Sequence, residues 1–253
     1  MKPARYIWLG ALLYLLFLIV TAPASLLVWL LPKPAGVEIV LQQPRGTLWR
    51  GEVQRVALKP ASGSVAELGR LTWTMRWLPL LRGEMAADIE LAGGPASARG
   101  LVAAGPGKLR LQGFDARFPA ALLPPFFPAL HLVQPGGEVR FHSEAFTLSH
   151  SAGSGQAQLS WLGAELGLAR RHTLGDYRLT ANAGESGGAL QLRTLSGALQ
   201  LQGDGHWDKS GVLGFKGTAR ALPEKQAELQ GLLKLFGTEQ ADGSYQIVFN
   251  ARR

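Results

Sequence analysis

The chain has 253 residues, no cysteine and a formal net charge of +8. Without cysteine there is no disulfide framework, no thiolate metal site and no cysteine nucleophile. Hydrophobic residues make up 47% of the chain and charged residues 17%, which is typical of a globular protein rather than a disordered one. Lys and Arg lie singly along the predicted strands, as in Arg70, Arg76, Arg110 and Arg140, a pattern that disfavours nucleic acid as a partner and leaves anionic lipid headgroups open.

Residues 7–31 contain no charged side chain and predict a transmembrane anchor, because about 20 apolar residues cross a bilayer as a helix. Lys2 and Arg5 precede this segment. The positive-inside rule therefore leaves residues 1–6 in the cytoplasm and exports residues 32–253 as a β-rich domain.

Pro23 lies within the apolar segment and is expected to kink the span without ending it. The alternative is a cleaved signal peptide, because Ala22-Pro23-Ala24 has the small-x-small form of a cleavage site. The apolar run continues to Leu31, and a discarded signal does not need that continuation. The sequence therefore favours an uncleaved anchor.

Beyond the anchor, apolar residues alternate with polar ones, as in Leu71, Trp73, Met75 and Trp77. This period of two places the apolar side chains on one face of a strand. The alternation returns as far as Phe249, with Gly or Pro between segments, and predicts about a dozen strands. The fold class is mostly β: an N-terminal transmembrane helix, then a long antiparallel sheet, curled or sandwich-like, with one short C-terminal helix.

Two segments interrupt the alternation. Four prolines between Phe118 and Leu130 permit at most one helical turn, and we expect a soft division between two halves near residues 118–136. From Pro223 to Phe236 the apolar residues take helical spacing, and Gly237 follows as a terminator. This second segment predicts the C-terminal helix.

The sequence contains no convincing catalytic, cofactor-binding or metal-binding pattern. Gly184 to Gly188 fits G-x-S-x-G, but the next residues read as a strand where a nucleophile elbow requires a helix, so a hairpin turn is favoured. No two of the histidines have the i, i+4 spacing of a helical metal pair; they are His131, His142, His150, His172 and His206. We therefore predict a protein that is not an enzyme and has no cofactor.

Several short motifs together resemble one protein family. They are Gly46-Thr47-Leu48-Trp49-Arg50-Gly51 shortly after the anchor, Leu71-Thr72-Trp73 leading to Trp77-Leu78-Pro79-Leu80-Leu81-Arg82-Gly83, then Gly137-Glu138-Val139, Leu195-Ser196-Gly197 with Leu201-Gln202-Gly203, and Asp242-Gly243-Ser244-Tyr245. In this order the chain resembles type II secretion system protein N, also called general secretion pathway protein N. The resemblance implies a single-pass protein of the bacterial inner membrane with its C-terminal domain in the periplasm.

The resemblance implies an accessory, non-catalytic role beside other inner-membrane secretion subunits, with no catalytic residue to carry over. The first motif itself predicts a tight turn with Trp49 packed in the core, and the alternative is a partner contact. The residues of this candidate site are Gly46, Thr47, Leu48, Trp49 and Gly51.

A second hypothesis comes from the similarity of this arrangement to periplasmic lipid-handling proteins, which combine an N-terminal anchor with a long curled sheet. An apolar inner face of that kind offers lipid as a second partner. The candidate groove residues are Trp73, Trp77, Trp161 and Phe215.

Overall fold

A computed structural model of the chain describes residues 4–26, 37–60, 65–127, 130, 133–149, 153–167, 171–208 and 212–252. Within these residues the α-helices are α1 (Ala4–Val20), α2 (Trp77–Leu80) and α3 (Gln226–Phe236). Short 3₁₀ turns lie at Ala24–Leu26, Ala120–Leu122 and Pro223–Lys225.

The described residues form fourteen strands in one sheet. The strands are β1 (Val37–Gly46), β2 (Arg50–Pro60), β3 (Ala66–Arg76), β4 (Met85–Ala92), β5 (Ser97–Gly105), β6 (Lys108–Pro119), β7 (Gln134–Ser149), β8 (Gly153–Gly167), β9 (Arg171–Gly184), β10 (Gly187–Gly197), β11 (Leu199–Asp208), β12 (Val212–Ala221), β13 (Thr238–Glu239) and β14 (Tyr245–Arg252). Each strand from β1 to β11 pairs antiparallel with the next, and β14 then lies between β12 and β13. The prediction of a mostly β, antiparallel fold is confirmed. Over the described residues β1 and β13 do not pair, so the sheet is not closed.

The strand register aligns apolar residues in a row that crosses the sheet from β2 to β14. Directly paired residues of neighbouring strands share one face of a sheet. The apolar row consists of Val53, Leu71, Leu91, Ala98, Ala116, Phe141, Leu159, Leu179, Leu192, Gly203, Gly217 and Ile247. The alternation read from the sequence therefore produces one continuous apolar face.

The face that carries the apolar row has its best-buried core at the far end of the chain, where α3 packs on the sheet. Leu229 of α3 is 1% exposed and lies in a cluster with Leu233, Tyr177 and Tyr245. The predicted helix over residues 223–236 is confirmed, since a 3₁₀ turn at Pro223–Lys225 leads into α3. A second cluster lies near β1–β4 and includes Ala24.

The N-terminal helix is shorter than the predicted anchor. α1 ends at Val20, and Pro23 forms an isolated β-bridge with Thr47, so the expectation that Pro23 only kinks the span is wrong. Proline lacks the backbone N–H that would continue the helix, and the chain turns instead toward the sheet. Residues 27–31 of the predicted anchor lie outside the described residues. Over the part of the chain that the structure describes, no helix combines the length and apolar character needed to cross a membrane.

The segment where a division was expected lies between β6 and β7. Phe118 and Pro119 belong to β6, and Ala120–Leu122 forms one 3₁₀ turn, within the single turn that the prolines allow. β6 and β7 pair from Lys108 with Ser149 to Pro119 with Glu138. The sheet therefore continues across this point, and the division into halves stays a prediction.

Candidate docking site at the junction of helix and sheet

The Gly46 to Gly51 motif forms the hairpin turn between β1 and β2. Gly46 has φ +86°, a left-handed conformation that glycine adopts without steric cost. The backbone N–H of Thr47 donates to the Arg50 carbonyl at 2.9 Å, and this bond closes the turn. The predicted tight turn is therefore present.

Trp73 of β3 covers the Gly51 end of this turn. Its indole Nε1 donates to the Leu48 carbonyl oxygen at 2.9 Å, and the residue is only 4% exposed. A Cβ added at Gly51 would lie 2.5 Å from Trp73 Cζ2, far inside van der Waals contact. Glycine at position 51 therefore lets the Trp73 ring lie directly on the backbone.

Trp49 packs against the core cluster near β1–β4, which is the contact predicted for it, and it also contacts α1. It is half-buried, and its indole Nε1 donates to the carbonyl of Ile19 at 2.7 Å, near the C-terminal end of α1. The backbone N–H of Leu48 donates to Ala22 at 2.8 Å, and Thr47 bridges Pro23. Three contacts therefore clamp the end of α1 to the sheet, and we call these contacts the helix clamp.

Helix α2 lies against the helix clamp. The Trp77 ring stacks on Trp49 with ring centroids 4.1 Å apart and an interplanar angle of 21°. Trp77, Leu78 and Leu81 are nevertheless 54%, 79% and 85% exposed. The described residues therefore leave these three apolar side chains largely uncovered.

The four candidate groove residues do not meet in one place. Trp73 and Trp77 lie at the junction, and Trp77 belongs to α2 rather than to a strand. Trp161 lies in the cluster beneath α3, where its Nε1 donates to the Gly136 carbonyl at 2.8 Å. Phe215 lies over Gly203, where an added Cβ would come 2.4 Å from its ring.

The segment with the G-x-S-x-G spacing is a hairpin turn, as predicted. Gly184 ends β9, Gly187 begins β10, and Ser186 is exposed in the two-residue turn between them. His131 and His150 lie outside the described residues. Among the residues that are described, no three His, Asp or Glu side chains form a group able to hold a metal ion.

The polar contacts of two described histidines connect residues far apart in the chain. His142 Nδ1 lies 2.7 Å from Asp115 Oδ1 on the neighbouring strand, and His172 Nδ1 lies 3.0 Å from Glu228 Oε1 of α3. Both partners are distant in sequence, so no local pattern could have predicted them.

Hydrogen bonds lower the pKa of several described carboxylates, among them Glu84 and Asp176. Hydrogen bonding from Lys108, together with the nearby charge of Arg110, lowers the pKa of Glu84. The backbone N–H of Gly163 and the hydroxyl of Ser196 donate to Asp176 and lower its pKa. Asp176 joins β9 to its neighbours β8 and β10, and Glu84 joins the residue before β4 to β6, so both groups are structural ties.

Burial raises the pKa of Tyr177, whose hydroxyl donates to the Leu199 carbonyl at 2.7 Å. This hydrogen bond runs from β9 to β11 beneath α3, and it holds two non-adjacent strands at a fixed distance. Tyr177 is thus also a structural tie.

The fold and the junction define a protein whose sheet is a sequential antiparallel meander, with an N-terminal helix attached by hydrogen bonds to its first hairpin. The model of the family described as type II secretion system (T2SS), protein N, matches residues 37–248. The chain therefore belongs to this family, which is involved in type II protein secretion. Neither the curated proteins nor the solved structures include a significant match to the chain.

Proposed function

We propose that this protein is a non-catalytic accessory subunit of the type II secretion machinery that acts as an assembly scaffold. α1 lies in the bacterial inner membrane, and the β domain of residues 32–253 extends into the periplasm. Support comes from the family and from α1, in which Tyr6 and all side chains from Trp8 to Val20 are exposed. These side chains carry no charge, and an apolar environment would cover them.

The observation that carries the scaffold role is the open edge of β14. Over the described residues, β13 covers only Tyr245 and Gln246, so the outer edge of residues 247–252 has no strand partner. Val248 and Phe249 lie on opposite faces of β14, and each is 52% exposed. An unpaired strand edge with apolar side chains is a template for strand addition by a partner. The partners are other inner-membrane secretion subunits, and membrane confinement strengthens such contacts by raising their local concentration.

Site-specific photocrosslinking in the native membrane tests this role. A photoreactive residue replaces Val248, and the matched control replaces Arg178, an exposed residue of the central strand β9. We expect crosslinks to identified inner-membrane secretion subunits at position 248 and none at position 178. Equal crosslinking at both positions, or crosslinks only between copies of this chain, would contradict the scaffold role.

A second candidate function is lipid binding on the apolar row. Leu159, in the middle of the row, and Leu109 on the neighbouring part of the sheet are exposed despite being apolar. An apolar surface that runs continuously across strands can hold an acyl chain along its length.

Lipid extraction from the purified full chain tests this function. Leu159→Asp puts a charge in the apolar row, and Ser160→Asp puts the same charge on the opposite face of β8. Stoichiometric phospholipid that Leu159→Asp loses and Ser160→Asp keeps would support lipid binding. Purification without lipid would exclude it.

A further inference from the structure

We propose that Trp77, Leu78 and Leu81, which we call the apolar foot, lie in the lipid headgroup layer and seat the β domain directly on the membrane surface. The inference rests on the proposed function, because it takes α1 to lie in the membrane. It adds a second contact with lipid, made by the domain itself at the β3–β4 connection.

α1 contacts the sheet directly at the helix clamp. Trp49 donates to Ile19 within the last turn of α1, and Leu48 donates to Ala22 just beyond it. The first hairpin of the domain therefore lies within hydrogen-bonding distance of the end of the helix. A membrane that surrounds the end of α1 must therefore also lie next to this hairpin.

α1 is short for a helix that lies in a membrane. Its 17 residues span about 25 Å at 1.5 Å per residue, whereas the hydrocarbon core of a bilayer is about 30 Å thick. A short apolar helix draws its flanking groups toward the membrane or thins the bilayer locally. With the helix clamp in place, the flanking group on this side is the end of the β domain.

The apolar foot combines exposed leucines with a tryptophan, a residue type suited to a membrane interface. Leu78 and Leu81 are more than three-quarters exposed, and Trp77 holds its place by stacking on Trp49 of the helix clamp. Tryptophan is enriched at membrane interfaces, where its ring is apolar and its N–H is polar. The exposed Arg82 follows directly, and its long stem permits the guanidinium to meet lipid phosphates while the neighbouring leucines enter the apolar layer.

A depth measurement on the full chain in liposomes tests the apolar foot. The chain has no cysteine, so single cysteines accept an environment-sensitive fluorophore without background labelling. The test positions are Leu78→Cys in the foot, Leu12→Cys in α1 and Ala241→Cys. Ala241 is an exposed turn residue at the opposite strand ends. Nitroxide-labelled phospholipids then quench those fluorophores that lie in the membrane.

We expect severalfold stronger quenching at positions 12 and 78 than at position 241. Quenching at 12 with none at 78 would overturn the apolar foot and leave the anchoring by α1 intact. No quenching at either position 12 or position 78 would overturn both the membrane location of α1 and the apolar foot. A blue-shifted but unquenched fluorophore at 78 would mean that protein covers the foot, and this too would overturn the inference.

A charge-insertion pair gives a second readout. Leu78→Asp should lower lipid quenching of the fluorophore at position 12 or shift its depth, because a carboxylate resists entry into the headgroup layer. Ala241→Asp, which adds the same charge in the exposed turn at the opposite strand ends, is the matched control and should leave the depth at position 12 unchanged. Identical depths for both variants would contradict a foot that seats the domain.

Discussion

The contact between the Trp73 ring and the Gly51 backbone makes Gly51→Ala a direct test of how the junction is built. An alanine Cβ would lie 2.5 Å from Trp73 Cζ2, 2.7 Å from the Arg45 carbonyl oxygen and 2.9 Å from that of Thr47. Two of these three atoms belong to the backbone of the turn and cannot move aside cheaply. The ring must also shift, which weakens its hydrogen bond to Leu48.

The expected cost follows from overpacking, which typically destabilises a protein by about 1–3 kcal/mol. For a domain of this size, each kcal/mol lowers the melting temperature by about 2–4 °C. We therefore expect Gly51→Ala to lower the melting temperature by about 2–12 °C. The assay is thermal unfolding of the full chain in a mild detergent, followed by circular dichroism.

The matched control is Gly231→Ala in α3, where an added Cβ would meet no atom within 4 Å. Alanine is preferred over glycine in a helix by about 0.8–1 kcal/mol, so this substitution should raise the melting temperature. The same substitution should therefore lower the melting temperature at position 51 and raise it at position 231.

A double-mutant cycle identifies the atom responsible. Phenylalanine lacks Cζ2 of the indole, so Gly51→Ala should cost less in a Trp73→Phe background than in the wild type. An unchanged melting temperature for Gly51→Ala would refute the packing argument. An equal cost in both backgrounds would show that the Trp73 ring does not cause the destabilisation.

Three further predictions concern α3 and the strands on which it packs. Tyr177→Phe removes the donor to a carbonyl at the start of β11 and should cost about 1–2 kcal/mol in urea unfolding; an unaltered midpoint would contradict that tie. Leu229→Ala empties a buried site and should cost about 2–5 kcal/mol by the same assay, more than any single exposed change in α3. Hydrogen bonding from Lys225 and from His172 lowers the pKa of Glu228, so its contribution is present above the unfolded pKa and is lost as the pH falls through the folded pKa. Melting temperatures between about pH 6 and pH 3 should therefore drop more steeply for the wild type than for Glu228→Gln, and parallel curves would exclude the effect.

Local patterns predicted much of the secondary structure. The alternation from Arg70 to Arg76 places Leu71, Trp73 and Met75 on one face because side chains of a strand alternate at every residue. The hairpin at Gly184 to Gly188 and the helix after Pro223 were predicted correctly because turn residues and helical spacing act over a few neighbours.

The end of α1 was predicted incorrectly because the deciding contacts are not local. From the sequence, Pro23 is a tolerated kink in a long apolar run. In the structure its neighbour Ala22 accepts from Leu48, and Ile19 accepts from Trp49, 30 residues away. The β1–β2 hairpin thus donates hydrogen bonds to backbone carbonyls at the end of α1 and just beyond it. The helix ends at Val20.

Residue types and their spacing within single segments were enough to predict the strands, their apolar face, the turns and α3. The tertiary structure was needed for the strand register that aligns the apolar row and for the partners of the two tryptophans at the junction. It also decided the exposure of Leu78 and Leu81. These features depend on which distant residues meet, and a sequence pattern of short period contains no information about that.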